Sequence, residues 1–177
     1  MPDDSEETTP VVNRGEVEYR DSSTTEIDLD GDGRPDGVRS VHTEVREIDV
    51  DDDGVADIVS TTTIEETAID VDGDGVVDVI TTVETTEVVM DVDGDGVADS
   101  VDITEVRTVA HDLDGDGIPD VTRTDVVTVS GIDPDEDGNL RDIQADGARI
   151  YGLDTTGDGN IDDVVVEELD VEIVEDD

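Results

Sequence analysis

Apolar residues recur along this chain in short runs that are interrupted every 21 residues by a cluster of aspartate and glycine. Twelve residues rich in Val, Thr and Ile separate successive clusters, as in VITTVETTEVVM between positions 79 and 90. β-Branched side chains favour pleated backbone, and no stretch carries apolar residues at helical spacing. The pattern predicts strands joined by polar loops, with essentially no helix.

With offsets counted from the first aspartate of each cluster, several columns stay apolar. Offset 10 holds Val38, Val59, Ile80 and Val101; offset 1 holds Leu29, Val50, Val71, Val92 and Leu113. Offset 20 holds Ile48, Ile69 and Met90, and offset 6 holds Val55, Val76, Val97 and Ile118. Offset 11 is mostly polar, with Arg39, Ser60 and Thr81. Columns of constant polarity are what stacked repeats need. A propeller blade needs about twice this length. An antiparallel meander would put successive loops on opposite edges and alternate the faces of equivalent residues. The constant period favours an all-β fold: a β-solenoid of 21-residue coils, with the apolar columns inward and the loops stacked in one column.

The expected organisation is a flexible arm over residues 1–10, one repeat domain over 11–174 and an acidic tail over 175–177. Loop starts fall at 28, 49, 70, 91, 112, 133 and 154. Residues 11–27 read as the strand half of a repeat without its loop, with Gly15 where a loop aspartate would fall.

The clusters carry the candidate chemistry. Complete ones place aspartates at offsets 0, 2, 4 and 8. These are Asp28, Asp30, Asp32 and Asp36; Asp49, Asp51, Asp53 and Asp57; Asp70, Asp72, Asp74 and Asp78. Asp91, Asp93, Asp95 and Asp99 follow, then Asp112, Asp114, Asp116 and Asp120. The second cluster has Asp52 where the others have glycine. The sixth keeps Asp133, Asp135 and Asp137 but has Arg141 at offset 8, with Asp142 beside it. The seventh keeps Asp154, Asp158 and Asp162, with Thr156 at offset 2. Carboxylates at this spacing converge on one point, and glycine lets the chain turn around it.

Composition sharpens this reading. The net charge is −46, with no lysine and nine arginines. That excludes nucleic acid and anionic membrane surfaces as partners. Phe, Trp and Cys are absent, so there is no disulfide framework, and Tyr19 and Tyr151 are the only aromatics. No apolar run reaches the roughly 18 residues of a membrane span. Residues 1–7 lack the features of a signal peptide, leaving export through a segment outside this sequence or residence inside the cell. Acidic, lysine-free composition resembles that of proteins from salt-loving organisms, but such composition does not require fixed offsets.

Stacked in a solenoid, aspartates of adjacent coils would stand about 5 Å apart and repel by about 3 kcal/mol per pair at an effective dielectric near 20. Divalent cations reverse that term. Oxygen-only ligands favour Ca2+ or Mg2+ over zinc or copper, and a high ligand count favours Ca2+. The loops Asp-x-Asp-Gly-Asp-Gly-x-x-Asp resemble the calcium loops of dockerin, thrombospondin type 3 and FG-GAP/VCBS repeats, and their stacking is similar to the calcium β-roll of RTX proteins. The resemblance covers residues 28–162 as an array of motifs. It departs from an EF-hand at the twelfth loop position, where Arg39, Ser60 and Thr81 replace the bidentate Glu.

His42 and His111 fall at different offsets and form no repeated site. The Thr-rich strands are too mixed with Glu and Arg for the threonine ladders of ice-binding solenoids. No nucleophile–base constellation supports catalysis. The expected function is structural: a calcium-stapled unit, extracellular or at the cell surface, that stacks head-to-tail with itself into a filament or matrix fibre. Residues 11–27 and 163–174 form its two ends, and the Met1–Pro10 arm lies along or inserts into the neighbour. Seven Ca2+ would leave −46 + 14 = −32 per subunit. The alternatives are a calcium-binding spacer in an adhesin or surface protein and a soluble calcium buffer.

Overall fold

The structure, a computed structural model, describes residues 11–13, 15–135 and 137–171. The Met1–Pro10 arm and the 175–177 tail lie outside the described residues. The remainder is all-β. A short β1 (Val11–Asn13) leads into β2 (Glu16–Ile27), β3 (Gly37–Ile48), β4 (Ile58–Ile69), β5 (Val79–Met90) and β6 (Ser100–His111). Then follow β7 (Val121–Ile132), β8 (Arg141–Leu153) and β9 (Asp163–Leu169). All nine strands form one antiparallel sheet in chain order.

This corrects the expected solenoid: the repeats form an open meander. The reason is reach. A 12-residue strand such as β5 spans about 40 Å. A nine-residue loop covers at most about 30 Å fully extended, and these loops are curled. The chain therefore cannot return to start a parallel coil. Instead six of the loops close on the strand that enters them, as through Asp36 N–H to the Ile27 carbonyl (2.7 Å) and Asp78 N–H to the Ile69 carbonyl (2.9 Å). The next strand then runs back alongside, pairing Ile27 with Gly37, Ile48 with Ile58 and Ile69 with Val79.

These registers make partners of even with even and odd with odd numbers from β2 through most of β8. Even-numbered strand residues thus share one face and odd-numbered ones the other. Because the repeat is odd in length, equivalent residues change face at each step: Val38 and Val59, both at offset 10, lie on opposite sides. The apolar columns therefore do not converge on a core. Among the described residues no apolar side chain is buried. The offset-1 column is the most exposed: Leu29 is 61% and Leu113 72% accessible.

Packing is confined to the sheet and its rims. Ile161, at offset 7 of its loop, folds over the end of β8, where a Cβ on Gly152 would stand 3.1 Å from its Cγ2. Thr108 and Thr124 hydroxyls meet at 2.9 Å between β6 and β7, and Arg39 pairs with Glu65 at 2.6 Å between β3 and β4. Cross-strand contacts of this kind contribute about 0.2–1 kcal/mol each.

Candidate metal centre

The third loop shows how the sequence builds its local structure. Gly73 and Gly75 adopt φ of 77° and 93°, values that favour glycine, and turn the chain around Asp70. The Asp70 carboxylate accepts the N–H of Gly73 on one oxygen and of Gly75 on the other, both at 2.8 Å. Asp72 accepts from Asp74 N–H at 3.1 Å, and Asp74 from Val76 N–H at 2.8 Å. Asp78 accepts the Val71 N–H at 2.5 Å, which ties the end of the loop to its beginning. The first, second, fourth and fifth loops repeat these bonds.

Converging N–H groups also set the electrostatics. Burial pushes the Asp112 carboxyl up, but backbone N–H groups of Gly117, Gly115, Asp114 and Asp116 outweigh it and hold it below the usual carboxylate range. Asp154 behaves likewise: burial raises it, and the N–H groups of Gly159, Thr156, Gly157 and Asp158 bring it below. Asp162 is lowered by the Thr155 hydroxyl and then by the Thr155 N–H.

Against this frame the carboxylates gather. The acidic triads include Asp28, Asp30 and Asp32; Asp49, Asp51 and Asp53; Asp70, Asp72 and Asp78; Asp91, Asp93 and Asp99; and Asp112, Asp114 and Asp120. In each, one oxygen per residue lies within 4.8 Å of the others. The donor set is oxygen only, and such a cluster could hold a metal ion.

Other expected ligands fall outside the five triads named above. Asp36 and Asp57 accept the N–H of Leu29 and Val50. Asp74, Asp95 and Asp116 accept from Val76, Val97 and Ile118. Asp74 also turns its second oxygen toward Gly115, 3.9 Å from where a Cβ would be. In the sixth loop Arg141 takes the place of the last aspartate and binds both Asp135 and Asp137, the latter at 2.7 Å. A fixed guanidinium there stands among the carboxylates. Asp133 is buried and accepts the Gly138 N–H at 2.7 Å, while its other oxygen has no hydrogen-bond partner among the described residues. In the seventh loop Asp154 accepts from Gly157 and Gly159, and Asp158 accepts from Asn160. His42 and His111 lie on β3 and β6, outside the loops.

Loops on one edge are two strands apart, about 9.6 Å, rather than the expected 5 Å. They are nonetheless linked. Asp70 N–H donates to the Asp36 carbonyl at 2.8 Å, Asp112 to Asp78 at 2.9 Å and Asp154 to Asp120 at 2.9 Å. On the other edge Asp49 donates to Gly15 at 2.8 Å, Asp91 to Asp57 at 2.9 Å and Asp133 to Asp99 at 2.8 Å. Gly15 thus takes the role of a last loop residue, as its register implies. This ladder, and the part played by Arg141, were not read from the sequence. The signal for the second was the loss of an aspartate to a cation at a fixed offset.

Comparison with known proteins finds no matching family model, no matching curated protein and no matching solved structure.

Proposed function

We propose that this chain is a non-catalytic calcium-binding structural repeat whose sheet extends end to end with further copies into an extracellular filament. The observation that carries the calcium part is that each of the five complete loops, on both sheet edges, gathers an aspartate triad, at offsets 0, 2 and 4 in the first two and 0, 2 and 8 in the next three. In the absence of a cation, each loop concentrates three or four negative charges around one point. Asp28, Asp30 and Asp32, and Asp49, Asp51 and Asp53, would hold the ion in the first two loops, and Asp70, Asp72 and Asp78 with their equivalents in the next three, with charge neutralisation as its contribution.

Two features support the filament. Among the described residues, β2 is paired on its outer side only over Glu16–Glu18, by β1, and β9 has no outer partner. Seven antiparallel steps separate β2 from β9, so they run in opposite directions. A β9 placed beside the next copy's β2 continues the antiparallel order. Such a head-to-tail contact does not close and yields a fibre. Residues 172–174 of the C-terminal half-repeat lie outside the described residues.

Electron microscopy of the full chain in calcium tests this reading, alongside a chain lacking residues 1–27. That deletion leaves β3 at the edge, running the same way as β9, and should abolish fibres while calcium-dependent strand signal remains. Fibres of unchanged morphology would refute terminal addition. Compact particles from the full chain would favour the spacer module. A strand signal indifferent to excess chelator at low salt would sink the calcium part.

A further inference from the structure

The loops divide into two sets. Those starting at Asp28, Asp70, Asp112 and Asp154 lie on one edge of the sheet, and those starting at Asp49, Asp91 and Asp133 lie on the other. A 12-residue strand, about 40 Å long, separates the two edges, whereas neighbours along one edge stand about 9.6 Å apart.

Within an edge the loops touch. The carbonyl of Asp78, the last aspartate of the third loop, accepts the N–H of Asp112, the first of the fifth. The carboxylates of both residues belong to acidic triads, so one backbone bond joins a candidate ligand in one loop to a candidate ligand in the next. Side chains follow the same direction. Asp53 Oδ2 lies 3.6 Å from where a Cβ on Gly94 would stand, Val76 Cγ1 3.9 Å from that of Gly117 and Ile118 Cγ2 3.8 Å from that of Gly159. Burial marks the same seams. The four buried charged residues among those described, Asp57, Asp112, Asp133 and Asp154, are 4–9% accessible, and each contributes a bond to this ladder.

Building on the calcium reading above, on which this rests, we propose that each edge is a separate cooperative unit: an ion held by one loop strengthens ion binding by the next loop on that edge and not by the loops of the opposite edge. An ion on Asp70, Asp72 and Asp78 fixes the peptide that presents the Asp78 carbonyl, and with it the Asp112 N–H. Less ordering then remains for the fifth loop to undergo when it binds its own ion. The coupling is reciprocal, so the fifth loop helps the third equally. Repulsion between the ions opposes this, but their separation of about 9.6 Å exceeds the Debye length of about 8 Å at physiological salt. Across the sheet there is no such link. β5, which joins the third loop to the fourth, is paired at every residue on both sides and has little left to order.

Asp72→Asn in the third loop and Asp93→Asn in the fourth test this on the full chain. Each removes one charge from a triad, and the Asn Oδ1 can still accept the N–H that Asp72 takes from Asp74, or Asp93 from Asp95. Amide hydrogen exchange, read loop by loop by mass spectrometry across a calcium titration, serves for particles and fibres alike. Asp72→Asn should raise the calcium needed for half-protection of the first and fifth loops about fivefold or more beyond any rise in the second and fourth, the lower end of ordinary coupling. Asp93→Asn should raise it in the second loop by a similar factor beyond any rise in the third and fifth. Equal shifts on both edges, or no shift outside the altered loop, overturn the coupling and leave calcium binding standing. So does a shift to lower calcium, the sign that removal of a negative charge alone would give. Protection indifferent to calcium in every loop of the parent overturns the calcium reading and the coupling with it. If Asp72→Asn does not fold, Asp30→Asn in the first loop replaces it. The third loop should then shift about fivefold or more beyond the second, and equal shifts overturn the proposal.

Discussion

Arg141 donates to Asp137 at 2.7 Å from the position that a loop aspartate fills in the complete repeats. It binds Asp135 as well, so the sixth loop carries its own cation in covalent form. Replacing it with Arg141→Asp removes the guanidinium and restores the repeat pattern. Calcium stoichiometry by isothermal titration should rise by about one ion per chain. Unchanged stoichiometry would show that the arginine does not decide whether this loop takes a metal.

Asp52 occupies a turn that glycine occupies in other loops, at φ 65°. An L-residue in this region is disfavoured by about 1–2 kcal/mol, less for Asp than for most. Asp52→Gly should therefore stabilise the chain by up to about 1 kcal/mol, seen as a higher denaturant midpoint at fixed calcium. A lowered midpoint would indicate that the Asp52 side chain contributes something the loop bonds do not reveal.

Asp74 and Asp158 are equivalent positions with different surroundings. Asp74 sits in a complete loop between two others on its edge and turns one oxygen toward Gly115 in the next. Asp158 sits in the last loop and accepts from its neighbour Asn160. Asp74→Ala should lower calcium-dependent stability more, by about 1–3 kcal/mol if it leaves loop N–H groups unsatisfied. Equal midpoints for the two variants would argue that the loops act independently.

Acid should weaken the fold in a defined window. Asp112, Asp154 and Asp162 have folded pKa values below the ordinary carboxylate value of 3.8. Their stabilising contribution is present above that value and is lost as pH falls through the lower folded ones. At fixed calcium, the midpoint of urea unfolding should be nearly flat between about pH 8 and 5 and fall below about pH 4. Asp112→Asn should reduce the slope. Greater stability at pH 3 than at pH 6 would contradict the sign.

Much of this could be read from residue order alone. The runs of Val, Thr and Ile mark strands, and Gly15 marks a loop register that carries none of the loop aspartates. The aspartate spacing marks loops that gather three carboxylates. What could not be read was the direction of the return. An apolar column at a constant period, such as Val38, Val59 and Ile80, fits parallel coils and an antiparallel meander equally well unless strand length is weighed against loop reach. Offset 1 misled for a related reason. Leu29 and Val71 look like core residues beside polar neighbours, yet they stand on the outside of a turn whose inner side is taken by carboxylates. The ladder from Asp36 to Asp70 joins residues two repeats apart through backbone atoms, and nothing in side-chain chemistry announces it.

The order of strands has a mechanical consequence. Because β1 through β9 lie side by side in chain order, tension applied between the first and last strands acts along the hydrogen bonds rather than along the strands. The sheet would then open from an end, one hairpin at a time, with each step releasing about 21 residues and roughly 70 Å of slack. Loop bonds such as Asp70 to Asp36 span two steps, so each hairpin is held partly by the one beyond it. An array built this way yields in small equal increments under load and re-forms from whatever part remains folded.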